Sequence, residues 1–409
     1  MKEQSLEEKC SRIVNALIFI FPIVIISIQV AGDIVLFIFA MIGIFIAISK
    51  KISPFNIKEI KVFSYLTMFY FSAVCLSVLF SGQVLELAHY IPRDFYFLLA
   101  PFIALTLYKV EINFNYLLMG IKVALLILGM IIINQLSSGY VYRPSGVINP
   151  AVFGNLSVSM FFILLVYFQN ESFKQKIFTL LSLFSGVFII TISGTRGAWL
   201  SFLILSGAYL YLFYKQKKIS LKSNFFIGLI IASVIVIGGS NQLVQDRTYS
   251  AYEEISNWES GSDDPSNVGL RLEMYTKAIE NIKDVPFFGH GYRTSNIVLF
   301  KNDSTRMGET SVGFNHLHNA YLTNYYNGGV VLLGALLLLL FIPLRLFIKA
   351  NSQKREDLLY ISGALLIIGY ASHGMVNILL GDTYMNGFYV FFLAIFMVLH
   401  GKSITLSSG

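Results

Sequence analysis

Apolar runs of roughly 17 to 25 residues recur from one end of this chain to the other, each long enough to cross about 30 Å of hydrocarbon. In the 409 residues they fall at approximately 13–30, 32–49, 62–82, 92–108, 115–134, 151–168, 177–193, 198–214, 224–240, 321–347, 358–380 and 385–400. Hydrophobic residues make up 56% of the chain and charged residues 13%, about half the charged share of a soluble domain. The sequence therefore reads as an all-α polytopic membrane protein, with about twelve transmembrane helices in one membrane domain. The formal charge of +7 does not argue for nucleic acid, because the lysines sit where membrane topology alone would put them. Cys10 and Cys75 suggest neither a disulfide nor a metal site. The first apolar run is followed directly by a second, as expected of a retained span rather than a cleaved signal peptide.

The connections alternate in character. One set is lysine-rich, with Lys50, Lys51, Lys58 and Lys61, then Lys109, then Lys174 and Lys176, then Lys215, Lys217, Lys218 and Lys222, then Lys349, Lys354 and Arg355. The positive-inside rule places these in the cytoplasm together with both termini. The chain then divides into spans one to nine (1–240), a long outer segment (241–320) and spans ten to twelve (321–409). Seven of the ten arginines fall outside: Arg93, Arg143, Arg196, Arg247, Arg271, Arg293 and Arg306. Topology disfavours positive charge there. Arginine presents a rigid fork of donors that matches phosphate oxygens two at a time, so the expectation is a phosphate-bearing ligand on the outer face. The alternative for any one arginine is a salt bridge to Asp246, Glu253, Glu254, Asp263 or Asp264, or contact with lipid headgroups.

Three stretches carry the chemistry. Residues 135–150, broken by Gly139, Pro144, Gly146 and Pro150, form a turn-rich loop that delivers Arg143 to the membrane surface. Spans seven and eight meet at Ser193-Gly194-Thr195-Arg196-Gly197-Ala198-Trp199 with no polar loop between them, which sets Arg196 at the membrane boundary. In the outer segment, Leu270, Met274, Ala278 and Ile282 recur at helical spacing. They predict a helix over 268–282 with Arg271 in its first turn and a turn at Gly289–Tyr292. The segment closes on His316-Leu317-His318-Asn319. Two histidines two residues apart on an extended stretch point to opposite sides, so no shared role is expected of them. A zinc site would need further ligands that the sequence does not cluster. Gly328 and Gly329 inside span ten predict close packing or a kink. His373 and His400 read as structural, and so does His89 near Arg93.

Ser193-Gly194-Thr195-Arg196-Gly197-Ala198-Trp199, Gly269-Leu270-Arg271 with Pro286-Phe287-Phe288-Gly289-His290-Gly291-Tyr292, and His316-Leu317-His318-Asn319 ahead of Gly328-Gly329 together resemble the O-antigen ligase family. Arg143-Pro144-Ser145-Gly146 with Asn149 to Gly154 is similar to that family's outer loop. The resemblance implies a GT-C-like, metal-independent, inverting glycosyltransferase of the Gram-negative inner membrane, with one long periplasmic loop containing short helices. It implies transfer of O-antigen polysaccharide from undecaprenyl diphosphate to the lipid A-core, with no cofactor. The family's paired arginines would fall on Arg196 and Arg271 and its loop histidine on His318. Arg143, His316, Arg93, Arg293 and Asn319 are the further substrate-binding candidates.

The chemistry of such a transfer suits these residue types. A departing diphosphate is a weak base that needs fixed cations rather than a protonating acid. The attacking hydroxyl needs a base, and a neutral imidazole is suited to that near neutral pH. The rival expectations are a polysaccharide polymerase using the same donor and a transporter of a lipid-linked anion. Transporters concentrate charge near the bilayer midplane, where this chain offers chiefly Lys122.

Overall fold

The computed structural model describes residues 2–80, 91–139, 143–215, 228, 239, 242–350 and 356–407. Helices account for nearly all regular structure among them. They are α1 (Lys2–Ser27), α2 (Ala31–Ser49), α3 (Lys58–Phe80), α4 (Phe95–Lys109), α5 (Phe114–Ser137), α6 (Pro150–Tyr167), α7 (Phe173–Ile192), α8 (Arg196–Lys215), α9 (Gln242–Glu259), α10 (Asn267–Glu280), α11 (Ser295–Phe300), α12 (Arg306–Val312), α13 (Ala320–Lys349), α14 (Glu356–Gly374) and α15 (Thr383–Ser407). Ten are long and apolar enough to cross a membrane, and Leu358–Gly374 is a shorter apolar helix. These coincide with eleven of the twelve expected spans. The remaining one, 224–240, lies outside the described residues apart from 228 and 239, and so does His89.

Local chemistry sets the helix starts. The Asn149 side chain accepts from the Ala151 N–H, and Pro150 occupies the first turn of α6. Ser172 and Gln175 form a capping box on α7. The Asn319 side chain accepts from the N–H groups of Tyr321 and Leu322 and starts α13. Helix α1 packs on α5, α2 on α4, α3 on α13, and α14 on α6, α8 and α13. Helices α6 and α15 are the most enclosed. Lys122, the charge expected deep in a span, is paired: its Nζ lies 2.5 Å from Glu171, whose other carboxylate oxygen accepts from Thr179.

The span expected at 358–380 is shorter than its hydropathy suggests. Helix α14 ends at Gly374, and residues 375–382 form a loop that runs into the N-terminus of α15. Asp382 Oδ1 caps α15 by accepting from Tyr384 and Met385 N–H.

The segment 242–319 has its own small core of Met274, Ala278, Phe300 and Leu317 against Tyr326 of α13. Helix α10 fits its predicted range to within two residues. The Ser266 side chain caps it, and Leu270, Met274 and Ala278 are its buried stripe. Helix α9 buries none of its residues. The segment crosses α13 at a kink. Gly328 and Gly329 leave helical geometry, the latter at φ +61°, while His290 N–H donates to the Tyr326 carbonyl at 2.8 Å and Gly291 N–H to that of Asn327 at 3.0 Å. A Cβ on Gly329 would sit 2.0 Å from the Phe287 carbonyl oxygen, and one on Gly289 2.4 Å from the Asn327 carbonyl carbon. The glycines allow two backbones to touch. A second tie is buried: the Tyr292 hydroxyl donates to Asp94 at 2.5 Å, and Asn386 donates to the other Asp94 oxygen at 3.1 Å.

Candidate active site

Three connections converge with the segment 242–319 on one cavity, with a volume of about 280 Å³. They are the loop before α6, the α7–α8 junction and the α14–α15 loop. Arg143, Arg196, Arg247 and Arg271 line it with His316, His318 and His373, and among the described residues Asp382 is the one carboxylate lining it.

Each arginine is placed by a local device. Arg143 takes the left-handed conformation at φ +49°. Its Nε donates to the Ser193 carbonyl at 3.2 Å and its Nη2 to Thr195 Oγ1 at 3.0 Å, which ties the loop to the α7–α8 junction. Gly194, at φ +58°, lets that junction turn tightly. Arg196 then projects from the first turn of α8 toward α9, where its Nε donates to the Arg247 carbonyl at 3.0 Å and its Nη2 reaches Glu254 at 3.1 Å. The other Glu254 oxygen accepts from Val268 N–H at 2.7 Å. Glu254 thereby links α9, the start of α10 and Arg196. Arg271 is different. Its guanidinium has neither hydrogen bond nor ion pair among the described residues. Burial chiefly, with Arg196 nearby, pushes its pKa down against the favourable field of Tyr275. A guanidinium stays charged in proteins, so the arrangement favours an anion beside it. Arg247 likewise has no side-chain partner among the described residues.

The histidines correct the alternation expected of them. His318 has φ +50°, which breaks the extended geometry and swings its ring to the side of His316. The ring centroids are 4.3 Å apart, nearly perpendicular, and both line the cavity. Their nitrogens are not equivalent. His316 Nδ1 accepts from the His318 backbone N–H at 3.1 Å, so its lone pair is engaged. His318 hydrogen-bonds the Asn377 side chain, while its Nδ1 is buried without a partner. Burial first, then His316 and Arg271, holds His318 at about 3. Burial and Arg271 hold His316 at about 4. Both rings are neutral at neutral pH.

Arg93, Arg293 and Asn319 do not line this cavity. The Arg93 carbonyl accepts from Asn386 beside the buried Asp94. Arg293 lies in the turn after Gly291 at φ +64°. Asn319 caps α13, and its Nδ2 reaches the Met375 carbonyl at 3.3 Å. Arg306 is exposed, 3.9 Å from Asp264. The expected pairing of outer arginines with acidic residues thus applies to Arg196 and weakly to Arg306. Arg247, one of the seven outer arginines, lines the cavity, and so do His373, Asn377 and Asp382, which sequence reasoning did not select. No periodicity or motif marks them, because the α14–α15 loop reads as continued span. Among the described residues no group of three or more His, Cys, Asp and Glu is placed to hold a metal ion.

Comparison with known proteins bears on the same residues. Residues 177–339 match the family described as O-antigen ligase. A Haemophilus influenzae protein described as uncharacterized is 25% identical over 395 residues, which cover 94% of this chain and 98% of that protein. A ComP-specific O-oligosaccharyltransferase of Acinetobacter baylyi is 23% identical over 215 residues, 51% of this chain but only 36% of that relative's length. The matched range contains Arg196, Arg247, Arg271, His316 and His318, while Arg143, His373 and Asp382 lie outside it. Residues 177–339 are thus similar to the O-antigen ligase family, and that range supplies most of the cations and both paired imidazoles of the cavity.

Proposed function

We propose that the protein transfers O-antigen polysaccharide from undecaprenyl diphosphate to a hydroxyl of the lipid A-core, by metal-independent inverting transfer at the periplasmic face of the inner membrane. The observation that carries this reading is Arg271, a mostly buried guanidinium without a hydrogen bond or ion pair among the described residues, facing a cavity shared with three further arginines and two neutral imidazoles. Such a site favours an anion with several oxygens. The family match and the oligosaccharyltransferase relative support glycan transfer as the reaction.

The acceptor oxygen bonds to the anomeric carbon as the bond from that carbon to the phosphate oxygen breaks. The electron pair leaves with undecaprenyl diphosphate, whose developing charge Arg271, Arg196 and Arg143 stabilise. The hydroxyl proton passes to His318 Nδ1, the one imidazole lone pair of the pair not already engaged. Asn377 holds the ring in orientation. Attack opposite the leaving group inverts the anomeric centre.

The relative's name favours a second reading for the acceptor, an O-linked site other than lipid A-core. The test is transfer by the purified protein from an undecaprenyl-diphosphate-linked glycan, with lipid A-core, a second lipid-linked glycan and a hydroxyl-bearing protein offered as acceptors. Elongation of lipid A-core is expected. Elongation of the second lipid-linked glycan alone would make the protein a polymerase, and uptake without transfer would make it a transporter.

A further inference from the structure

Beside the arginine cavity, three buried polar atoms have no partner among the described residues: Asn155 Oδ1 and both ring nitrogens of His373. The two side chains are 5% and 1% exposed. Both line the cavity, and both also lie in a closely packed group with Ser159, Ser201, Gly369, Tyr370 and Met385. The Asn155 amide has one orientation, because its Nδ2 donates to the Ala151 carbonyl at 2.6 Å, and that leaves Oδ1 turned away from its own helix. The nearby hydroxyls are already engaged: Ser372 is bonded to Ser201 at 3.1 Å and to the Gly369 carbonyl at 2.9 Å. A buried polar atom left unpaired costs about 1–3 kcal/mol, and such atoms are rare enough that a cluster asks for an occupant.

The hydrogen-bonding inventory defines that occupant. A neutral imidazole offers one donor and one acceptor, and Asn155 Oδ1 adds a second acceptor. The complement is two donors and one acceptor. Ionised phosphate supplies acceptors alone, and a lipid tail supplies neither. Two neighbouring sugar hydroxyls supply the set. The cavity lies just below the usual range of about 300–1,000 Å³ for ligand pockets, which fits one sugar ring beside the arginines rather than a length of polysaccharide. The imidazole nitrogens lie just behind the cavity wall. For one of them to meet a ligand the ring turns about its soft Cβ–Cγ bond, with flexible Met385 beside it.

We propose that Asn155 and His373 form a subsite for hydroxyls of the first sugar on the lipid diphosphate, and so set which donor is accepted. This rests on the diphosphate reading above. The test is binding of two probes to the full-length protein in detergent: undecaprenyl diphosphate, and undecaprenyl diphosphate carrying one N-acetylglucosamine. His373→Leu and Asn155→Leu should weaken the sugar-bearing probe about tenfold to a hundredfold and shift the bare carrier less than about twofold. His373→Gln, which keeps a donor and an acceptor, should recover most of the loss. If the leucine variants do not fold, Asn155→Ser reads the same ratio. Equal weakening of both probes, or no change in either, overturns the subsite alone. Undiminished binding of the bare carrier to Arg196→Ala and Arg271→Ala overturns the diphosphate reading instead, and the subsite's assignment with it.

Discussion

At the scale of single residues, two adjacent imidazoles are differently hydrogen-bonded. Periodicity does not separate His316 from His318, and only the resemblance singles out His318. One positive φ puts both rings in one cavity, and one backbone N–H then engages the lone pair of His316. His318→Ala should therefore lower transfer by about a hundredfold to ten-thousandfold while donor binding persists. His316→Ala, which removes a neighbour rather than the base, should cost less. Retained transfer in His318→Ala, measured with purified protein, would falsify the base assignment. The pH behaviour follows from burial. An unfolded imidazole titrates near 6.5, whereas the folded rings titrate at about 4 and about 3. Between those values the unfolded chain binds protons that the folded one does not, so stability falls as pH drops through that window. Melting temperature in detergent should decline from about pH 6.5 toward pH 4, and more gently in the His316→Gln/His318→Gln double variant. Arg271→Lys keeps the charge and loses the fork. Donor affinity should fall about tenfold or more, as read by titration with undecaprenyl diphosphate.

At the scale of elements, the segment 242–319 is positioned by a few backbone crossings and polar ties. Its periodicity announces α10, and the Pro286–Tyr292 stretch announces a turn. That this turn docks on a kink in α13 is decided by three glycines 40 residues apart in sequence. Gly329→Ala combines a left-handed backbone with a 2.0 Å approach to the Phe287 carbonyl. It should destabilise the protein by on the order of 3 kcal/mol, measured as a drop in thermal stability. Helix α9 is held to the bundle largely through Arg196 and its partner Glu254. Glu254→Ala should raise the donor KM on the order of tenfold, with partial rescue by Glu254→Gln. An unchanged KM would mean that Arg196 is oriented without it.

At the scale of the whole molecule, the helices form a bundle whose one end gathers charge, while the one deep lysine is neutralised by its neighbour. Lys122→Met strands the Glu171 carboxylate in a closed site and should cost about 3–5 kcal/mol, most of it recovered by removing both charges in Lys122→Met/Glu171→Gln. Transfer activity should also survive EDTA. Abolition with rescue by a divalent ion would point to a metal-dependent mechanism. Eleven of the twelve spans and the main helix of the polar segment were legible in the chain itself. Hydrophobic length and helical period are local properties, and solvent enforces them wherever they occur. The grouping of Arg143, Arg196, Arg271 and His318 was visible only as a resemblance, since residues 175 positions apart carry no physical sign of meeting. His373, Asn155, Asp382 and Asn377 could not be read at all. They sit in apolar or span-like surroundings where an isolated polar residue usually bonds to its own helix, and only the packing of α6, α8 and α14 leaves some of their atoms facing a cavity. Sequence determined which segments must leave water, because that depends on composition alone. Tertiary structure decided which polar atoms are left unpaired at the end of the bundle, because that depends on which neighbours arrive.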